Sequence, residues 1–187
     1  MKLVQPIRDR KKIQEMQNQL LKKGMREYML FTIGITCGLR ISDILVLKVA
    51  DVRNKSYISL LEKKTRKPKR SELHPELQKD IQKYTQYMKD EEYLFQSRKG
   101  NNKPITRVQA YRILNGTASK IGLEEIGTHT LRKTFGFWHY QLYKDVAILQ
   151  EIFNHSSPSI TLRYIGVTDD MKNETIVGVG NFFYQMD

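Results

Sequence analysis

Apolar residues recur at helical spacing along most of this chain and alternate in only one stretch. Ile13, Met16 and Leu20 fall on one helical face after Asp9, a favoured N-cap residue, and Gly24 ends the run. In REYMLFTIGITCGLRISDILVLKV, Leu30, Phe31, Ile33 and Ile35 lead to a break at Gly38, and Ile41, Ile44, Leu45 and Leu47 then resume the pattern. Two helices are therefore expected to meet at CGLR. Residues 56 to 74, SYISLLEKKTRKPKRSELH, alternate enough to predict two short strands joined by a basic turn. Residues 75 to 89 open on a first-turn proline and place Leu77, Ile81, Tyr84 and Met88 on one helical face. YLFQS reads as a short extended piece, and Thr106 as the cap of RVQAYRILNGTASKIG. Thr128 or Thr130 is expected to cap a longer helix running through Tyr143. DVAILQEIF predicts another short helix, Ser157 with Pro158 opens the one that carries Tyr164, and the Asp169 and Asp170 pair reads as a further N-cap. The fold class expected is mainly α with a small antiparallel β-sheet (α+β).

Length and composition narrow this picture. A chain of 187 residues suits one domain, and 40% hydrophobic with 28% charged residues is the balance of a globular protein. No apolar stretch is long enough to cross a bilayer, the N-terminal residues lack a secretory core, and the single cysteine, Cys37, can form no internal disulfide. A cytoplasmic setting is expected. Thirty-two Lys and Arg against twenty Asp and Glu leave a charge of +12. Clustering turns that charge into a hint about partners. EKKTRKPKR, residues 62 to 70, holds six basic residues in nine, and SRKGNNKPITR, residues 97 to 107, holds four more. Both sit at expected turns, where Lys63, Arg66, Lys67, Lys69, Arg70, Arg98, Lys99, Lys103 and Arg107 can reach a nucleic-acid backbone.

A set of reactive residue types lies outside any apolar face. FNHSSPSITLRYIG, residues 153 to 166, puts His155 nine positions ahead of Tyr164. GTHTLRKTFGFWHY puts His129 and Arg132 three apart on one helical face, and Arg40 follows the CGL break. This set suits metal-free phosphoryl transfer, in which catalysis is positioning plus stabilisation of charge on the non-bridging oxygens. Arginines supply planar forks matched to those oxygens. A tyrosine hydroxyl titrates near 10, so attack at neutral pH needs a base or nearby positive charge, and histidine can serve as that base. The leaving oxygen needs a proton, which a lysine on the basic turn can deliver. Lys64 is the candidate, with Lys63 and Lys67 as neighbours easily mistaken for it. His74 and His139 read as structural. Asp43, three residues after Arg40, is a candidate to orient it, and an ordinary surface ion pair between the two is the other reading.

These residues resemble the tyrosine recombinases, or phage integrases. TCGLRISDIL is similar to that family's first arginine box, Lys64 with Thr65 to its strand-turn lysine, THTLRKTF to its His-x-x-Arg box, and FNHSSPSITLRYIG to its closing box with a second histidine and the tyrosine. The boxes run in order over about residues 8 to 175. The resemblance implies a site-specific DNA recombinase or integrase that cuts and rejoins DNA through a 3′-phosphotyrosine intermediate. It implies that Tyr164 attacks the phosphate, that Arg40, Arg132 and His155 hold its oxygens, that His129 acts as base and Lys64 as acid, with no cofactor and no metal. Lys133 and Arg163, inside the boxes, join the basic turns as expected DNA contacts. The implied partners are double-stranded DNA, further copies of the chain in a tetrameric synapse, and accessory DNA-bending or directionality proteins. The implied location is the bacterial or phage-infected cytoplasm, at the nucleoid.

Two departures bear on that implication. Where the family's closing box has Leu-Gly-His, this chain has Phe153, Asn154 and His155, and asparagine also tolerates the left-handed backbone that glycine would adopt. Residues 1–187 read as a single catalytic domain without the N-terminal core-binding domain that closes the family's clamp on DNA, so the chain is expected to be either a fragment or a short relative that leans on partners. The segment 167–187 ends in paired phenylalanines and a tyrosine, which fits packing either on its own core or on a neighbouring protomer. Two other functions use the same residues: a non-catalytic DNA-binding regulator, and a type IB topoisomerase-like activity.

Overall fold

A computed structural model describes residues 4–167 and 169–184, without side chains for 169–174. Helix α1 (Arg10–Lys23) starts where the Asp9 carboxylate accepts the Lys11 amide at 2.7 Å, and it ends at Gly24. Helix α2 (Met25–Cys37) is the central element, with Met29, Leu30, Phe31 and Ile33 fully buried. It stops because Gly38 takes the left-handed conformation (φ 60°, ψ 18°). The apolar pattern that resumes after CGLR yields only a four-residue helix, α3 (Ile41–Ile44), followed by a 3-10 turn at Val49–Asp51.

The two predicted strands form the antiparallel hairpin β1 (Tyr57–Leu61) and β2 (Pro68–Glu72), with Ser59 opposite Arg70. The Ser71 hydroxyl donates to the Cys37 carbonyl at 2.9 Å and ties the hairpin to the end of α2. Helix α4 (Pro75–Thr85) stops four residues short of the expected end. Instead of a strand, the YLFQS segment makes two isolated bridges, Lys48 with Tyr93 and Gln96 with Pro104. Helix α5 (Arg107–Ala118) has the Thr106 cap, then tightens to a 3-10 turn at Ser119–Ile121. Helix α6 (Thr128–Tyr143) is capped at Gly127 rather than at either threonine. Thr128 already lies in the first turn, and the Thr130 hydroxyl accepts the Gly127 amide at 3.0 Å. Helices α7 (Val146–Phe153), α8 (Pro158–Ile165) and α9 (Asp169–Tyr184) complete the chain. Asp169 and Asp170 lie within α9, and their side chains fall outside the described residues. Among the described residues, no helix is long and apolar enough to cross a membrane.

Two cores result. The larger gathers α1, α2, α4 and α5 around Phe31, Ile58, Ile81, Phe95 and Leu114, and the smaller centres on Leu149, Phe153 and Ile165. Helix α6 joins them: Leu131 belongs to the first, and Phe135 packs against the second. The joint is tight because α6 meets its neighbours through glycines. A Cβ on Gly34 would stand 2.4 Å from Leu131 Cδ1, and one on Gly136 would stand 2.6 Å from Ile165 Cγ2. The site lies along this seam.

Candidate active site

Arg40 leaves α2 through the left-handed turn at Gly38 and takes an extended backbone ahead of α3, so its side chain projects from a helix start. Its guanidinium pairs with the buried Glu62 carboxylate, and Nη2 donates to the Phe153 carbonyl at 3.4 Å. Arg132, in the second turn of α6, is 3% exposed; it donates to the Gly38 carbonyl and, at 2.9 Å, to the same Phe153 carbonyl. One backbone oxygen at the end of α7 thus gathers both guanidiniums. The Arg132 guanidinium also lies 4.2 Å from the centre of the Phe153 ring. Burial and the Arg40 charge draw the Arg132 pKa down to about 10, which leaves it cationic at any working pH.

His155 reaches this pair because Asn154 takes the left-handed position (φ 54°, ψ 46°) that ends α7. Two bonds fix the turn, the His155 amide to the Gln150 carbonyl at 3.0 Å and the Gln150 side-chain amide to the His155 carbonyl at 3.1 Å. Nδ1 of His155 lies 3.0 Å from the Thr161 hydroxyl, which leaves Nε2 as the nitrogen for a ligand. Tyr164, on α8, stands edge-on to His155 (centroids 5.2 Å) and to Phe153 (5.5 Å), with Lys133 Nζ 5.4 Å from its ring centre. Burial pushes the Tyr164 hydroxyl up; Arg132 and Arg40 oppose this without cancelling it. The phenol therefore keeps its proton at neutral pH.

His129, in the first turn of α6, shares a cleft of about 1070 Å³ with Tyr164, Lys133, Arg107 and Tyr111. Its Nε2 lies 3.3 Å from Arg107 Nη2. Burial, then the charges of Arg107, Lys133, Arg132 and Lys64, hold its pKa below the usual histidine value, so it is neutral and able to accept a proton at neutral pH. Burial followed by Arg132, Arg40 and Lys64 does the same to His155. Lys64 itself is exposed on the hairpin turn, and its side chain has no hydrogen-bond or ion-pair partner among the described residues.

The other cations divide into outward and inward groups. Lys63, Arg66, Lys103, Arg107 and Arg163 are exposed. Arg98 and Lys99 line a second cleft with Lys23, Arg26 and Arg112, on the side of α5 away from the first. Lys69 departs from the expected role, because its Nζ donates inward to the Ile152 carbonyl at 2.7 Å; burial, then Arg132, lowers its pKa. Lys133 is likewise buried and donates to the Val4 carbonyl at 2.8 Å. Lys67 bonds Asn154 Oδ1 at 3.2 Å, and Arg70 pairs with Glu72 and stacks on Tyr57. His74 accepts the Glu76 amide and caps α4, while His139 packs between Phe135 and Tyr143.

The carboxylate that holds Arg40 is Glu62 rather than Asp43. Asp43 is buried, but its Oδ1 accepts the Lys63 amide at 2.9 Å. Burial pushes the Glu62 carboxyl up; hydrogen bonds from Arg40 and Thr65 and the charges of Arg40 and Arg132 outweigh this and hold it below the usual range. A sequence signal for it existed. The period-2 alternation of β1 sets Glu62 on the inward face with Ile58.

A family model described as the phage integrase family matches residues 9–171. A probable integrase/recombinase, YoeC of Bacillus subtilis (strain 168), is 55% identical over 170 residues, 91% of this chain and 93% of that protein. A tyrosine recombinase of Pseudothermotoga lettingae is 28% identical over 82% of this chain, which spans only 54% of that relative. A crystal structure of XerA recombinase superposes with a TM-score of 0.76 at 20% identity, covering 95% of this chain and 66% of the other. XerH site-specific recombinase bound to its difH substrate in a pre-cleavage complex gives 0.71 at 20% identity, over 94% and 55%. Matched along most of its length, the chain belongs to the phage integrase family of tyrosine recombinases, enzymes of site-specific recombination that cut and rejoin DNA strands.

Proposed function

We propose that the described chain carries the complete chemistry of strand cleavage on double-stranded DNA. The observation that carries this reading is the pair of guanidiniums, Arg40 and Arg132, drawn onto one carbonyl beside the ring of Tyr164. Two fixed cations with His155 form an anion pocket that matches the charge of a phosphate in displacement. Tyr164 Oη attacks phosphorus and passes its proton to His129. The bond to the 5′-oxygen breaks, that oxygen takes a proton from Lys64, and a 3′-phosphotyrosine and a free 5′-hydroxyl result. Attack by a partner strand's 5′-hydroxyl reverses these transfers and reseals the backbone.

Lys63, Arg66, Lys103, Arg107 and Arg163, with the cleft holding Arg98 and Lys99, supply backbone contacts along the duplex. Ile176, Val177, Phe182, Phe183 and Tyr184 of α9 are exposed, which favours packing on a neighbouring copy and a synapse of several protomers on DNA.

The test is a pool of nicked duplexes with randomised sequence around the nick, from which a cleaved strand end is lost by diffusion. The wild-type protein should yield a covalent protein–DNA adduct on a denaturing gel, and Tyr164→Phe should yield none. No adduct from any member of the pool would make the chain a DNA-binding regulator instead.

A further inference from the structure

The mechanism asks Lys64 to reach the leaving oxygen while Arg40 holds another oxygen of the same phosphate. Among the described residues Lys64 has no hydrogen-bond or ion-pair tether, yet both of its neighbours in the turn are tethered. Glu62, which opens the turn, is 2% exposed. Oε1 of Glu62 pairs with Arg40, and Oε2 accepts the Thr65 hydroxyl at 2.6 Å. Its backbone closes the turn as well, with its carbonyl accepting the Arg66 amide at 2.9 Å and its amide donating to the Lys67 carbonyl at 3.0 Å. Asp43, three residues after Arg40, takes the Lys63 amide at 2.9 Å. Lys64 therefore stands between two residues anchored to carboxylates that belong to the surroundings of Arg40.

A carboxylate beside an anion pocket weakens the pocket's hold on phosphate, so affinity does not account for Glu62 there. Geometry does. A lysine carries the rotamer freedom of a long side chain and a turn adds backbone freedom, both of which cleavage must otherwise freeze at each event.

We propose that Glu62 and Thr65 act as a positioning pair that fixes the Lys64 turn in register with Arg40, so that proton donor and phosphate clamp present themselves as one unit. The inference rests on Lys64 as the acid. A general acid that must search for its place gives up part of its rate contribution, while a leaving group that needs no proton is indifferent.

The experiment uses the duplex recovered from the pool in two forms, one with the natural 5′-bridging oxygen and one with sulfur there, because a thiolate leaves without protonation. Thr65→Val keeps the branched shape and removes the hydroxyl. It should slow adduct formation on the oxygen duplex by roughly ten-fold or more, and run within about two-fold of wild type on the sulfur duplex. Thr65→Ser, which restores the hydroxyl, should cleave both at close to wild-type rates. Glu62→Gln should slow both duplexes, since Arg40 loses its partner too, and the oxygen duplex more. The inference is overturned if Thr65→Val leaves the oxygen duplex unaffected or slows both equally. Lys64→Ala separates the layers: if sulfur does not rescue it, the acid assignment itself falls, and if sulfur rescues it but not Thr65→Val, only the positioning pair falls.

Discussion

Gly136→Ala adds one methyl group at the seam of the molecule, and two opposed effects decide its sign. In an open helix the change is favourable by about 0.5–1 kcal/mol, because alanine loses less backbone freedom on folding. At Gly136, however, the new carbon would stand 2.6 Å from Ile165 Cγ2 and 2.7 Å from Phe153 Cε2 and Cζ, against a normal carbon separation of about 3.5–4.0 Å. Both neighbours are fully buried and have nowhere to withdraw. Forcing a methylene into a filled core costs about 1–3 kcal/mol, so the steric effect wins and the net loss should be of order 0.5–2 kcal/mol. Function should suffer further, since Phe153 carries the carbonyl that both guanidiniums hold and Ile165 adjoins Tyr164. Urea denaturation gives the stability, and adduct formation on a nicked duplex gives the activity. Gly116, on α5, is the control: a Cβ there meets nothing within 4 Å, and Gly116→Ala should raise the midpoint. If both variants shift the midpoint upward, or if Gly136→Ala keeps full activity, the account of a packed seam is wrong.

Other expectations follow from the same structure. Arg132→Ala should abolish adduct formation and lower stability by roughly 1–3 kcal/mol, because it strands the buried Gly38 carbonyl and leaves the Phe153 carbonyl only its long bond from Arg40; a stable, inactive variant would contradict the structural half. In the DNA-free protein, imidazole proton resonances of His129 and His155 should both titrate below 6.5. A histidine whose folded pKa is depressed adds stability above its unfolded value and loses it as pH falls through the folded pKa, so the urea midpoint should drop on acidification below pH 6.5 and drop less in His129→Gln. Arg98→Gln with Lys99→Gln should weaken binding to all duplex sequences alike and flatten the salt dependence by about one unit for each phosphate no longer neutralised, whereas a sequence-selective effect would point to base readout.

Local chemistry made much of the helical fold legible. Asp9, Thr106 and the Ser157–Pro158 pair mark helix starts because a cap acts within three residues of itself, and Gly38 marks a stop for the same reason. The start of α6 was harder, because Gly127 contributes no side chain and Thr130 satisfies the cap amide from inside the helix. The short α3 shows the limit of periodicity, since Leu45 and Leu47 are buried by packing even though the helix has already ended. At the site, the reactive residue types and their order along the chain were visible in the motifs. Their partners were not: Glu62 lies 22 positions from Arg40, and the Asp43 side chain, at helical spacing from Arg40, turns to the hairpin instead.

The sequence by itself determined where the capped helices α1, α5 and α8 begin, which residue types are available for phosphoryl transfer, and which segments carry positive charge. These follow from interactions spanning a few residues or from composition alone. Only the tertiary structure decided which cations are spent inward, as with Lys69 and Lys133, and which carbonyl gathers Arg40 and Arg132. Those outcomes depend on where α6 meets the N-terminal segment and where it crosses α7 and α8, the latter contact set by side-chain volumes at Gly136, Phe153 and Ile165 that no local pattern encodes.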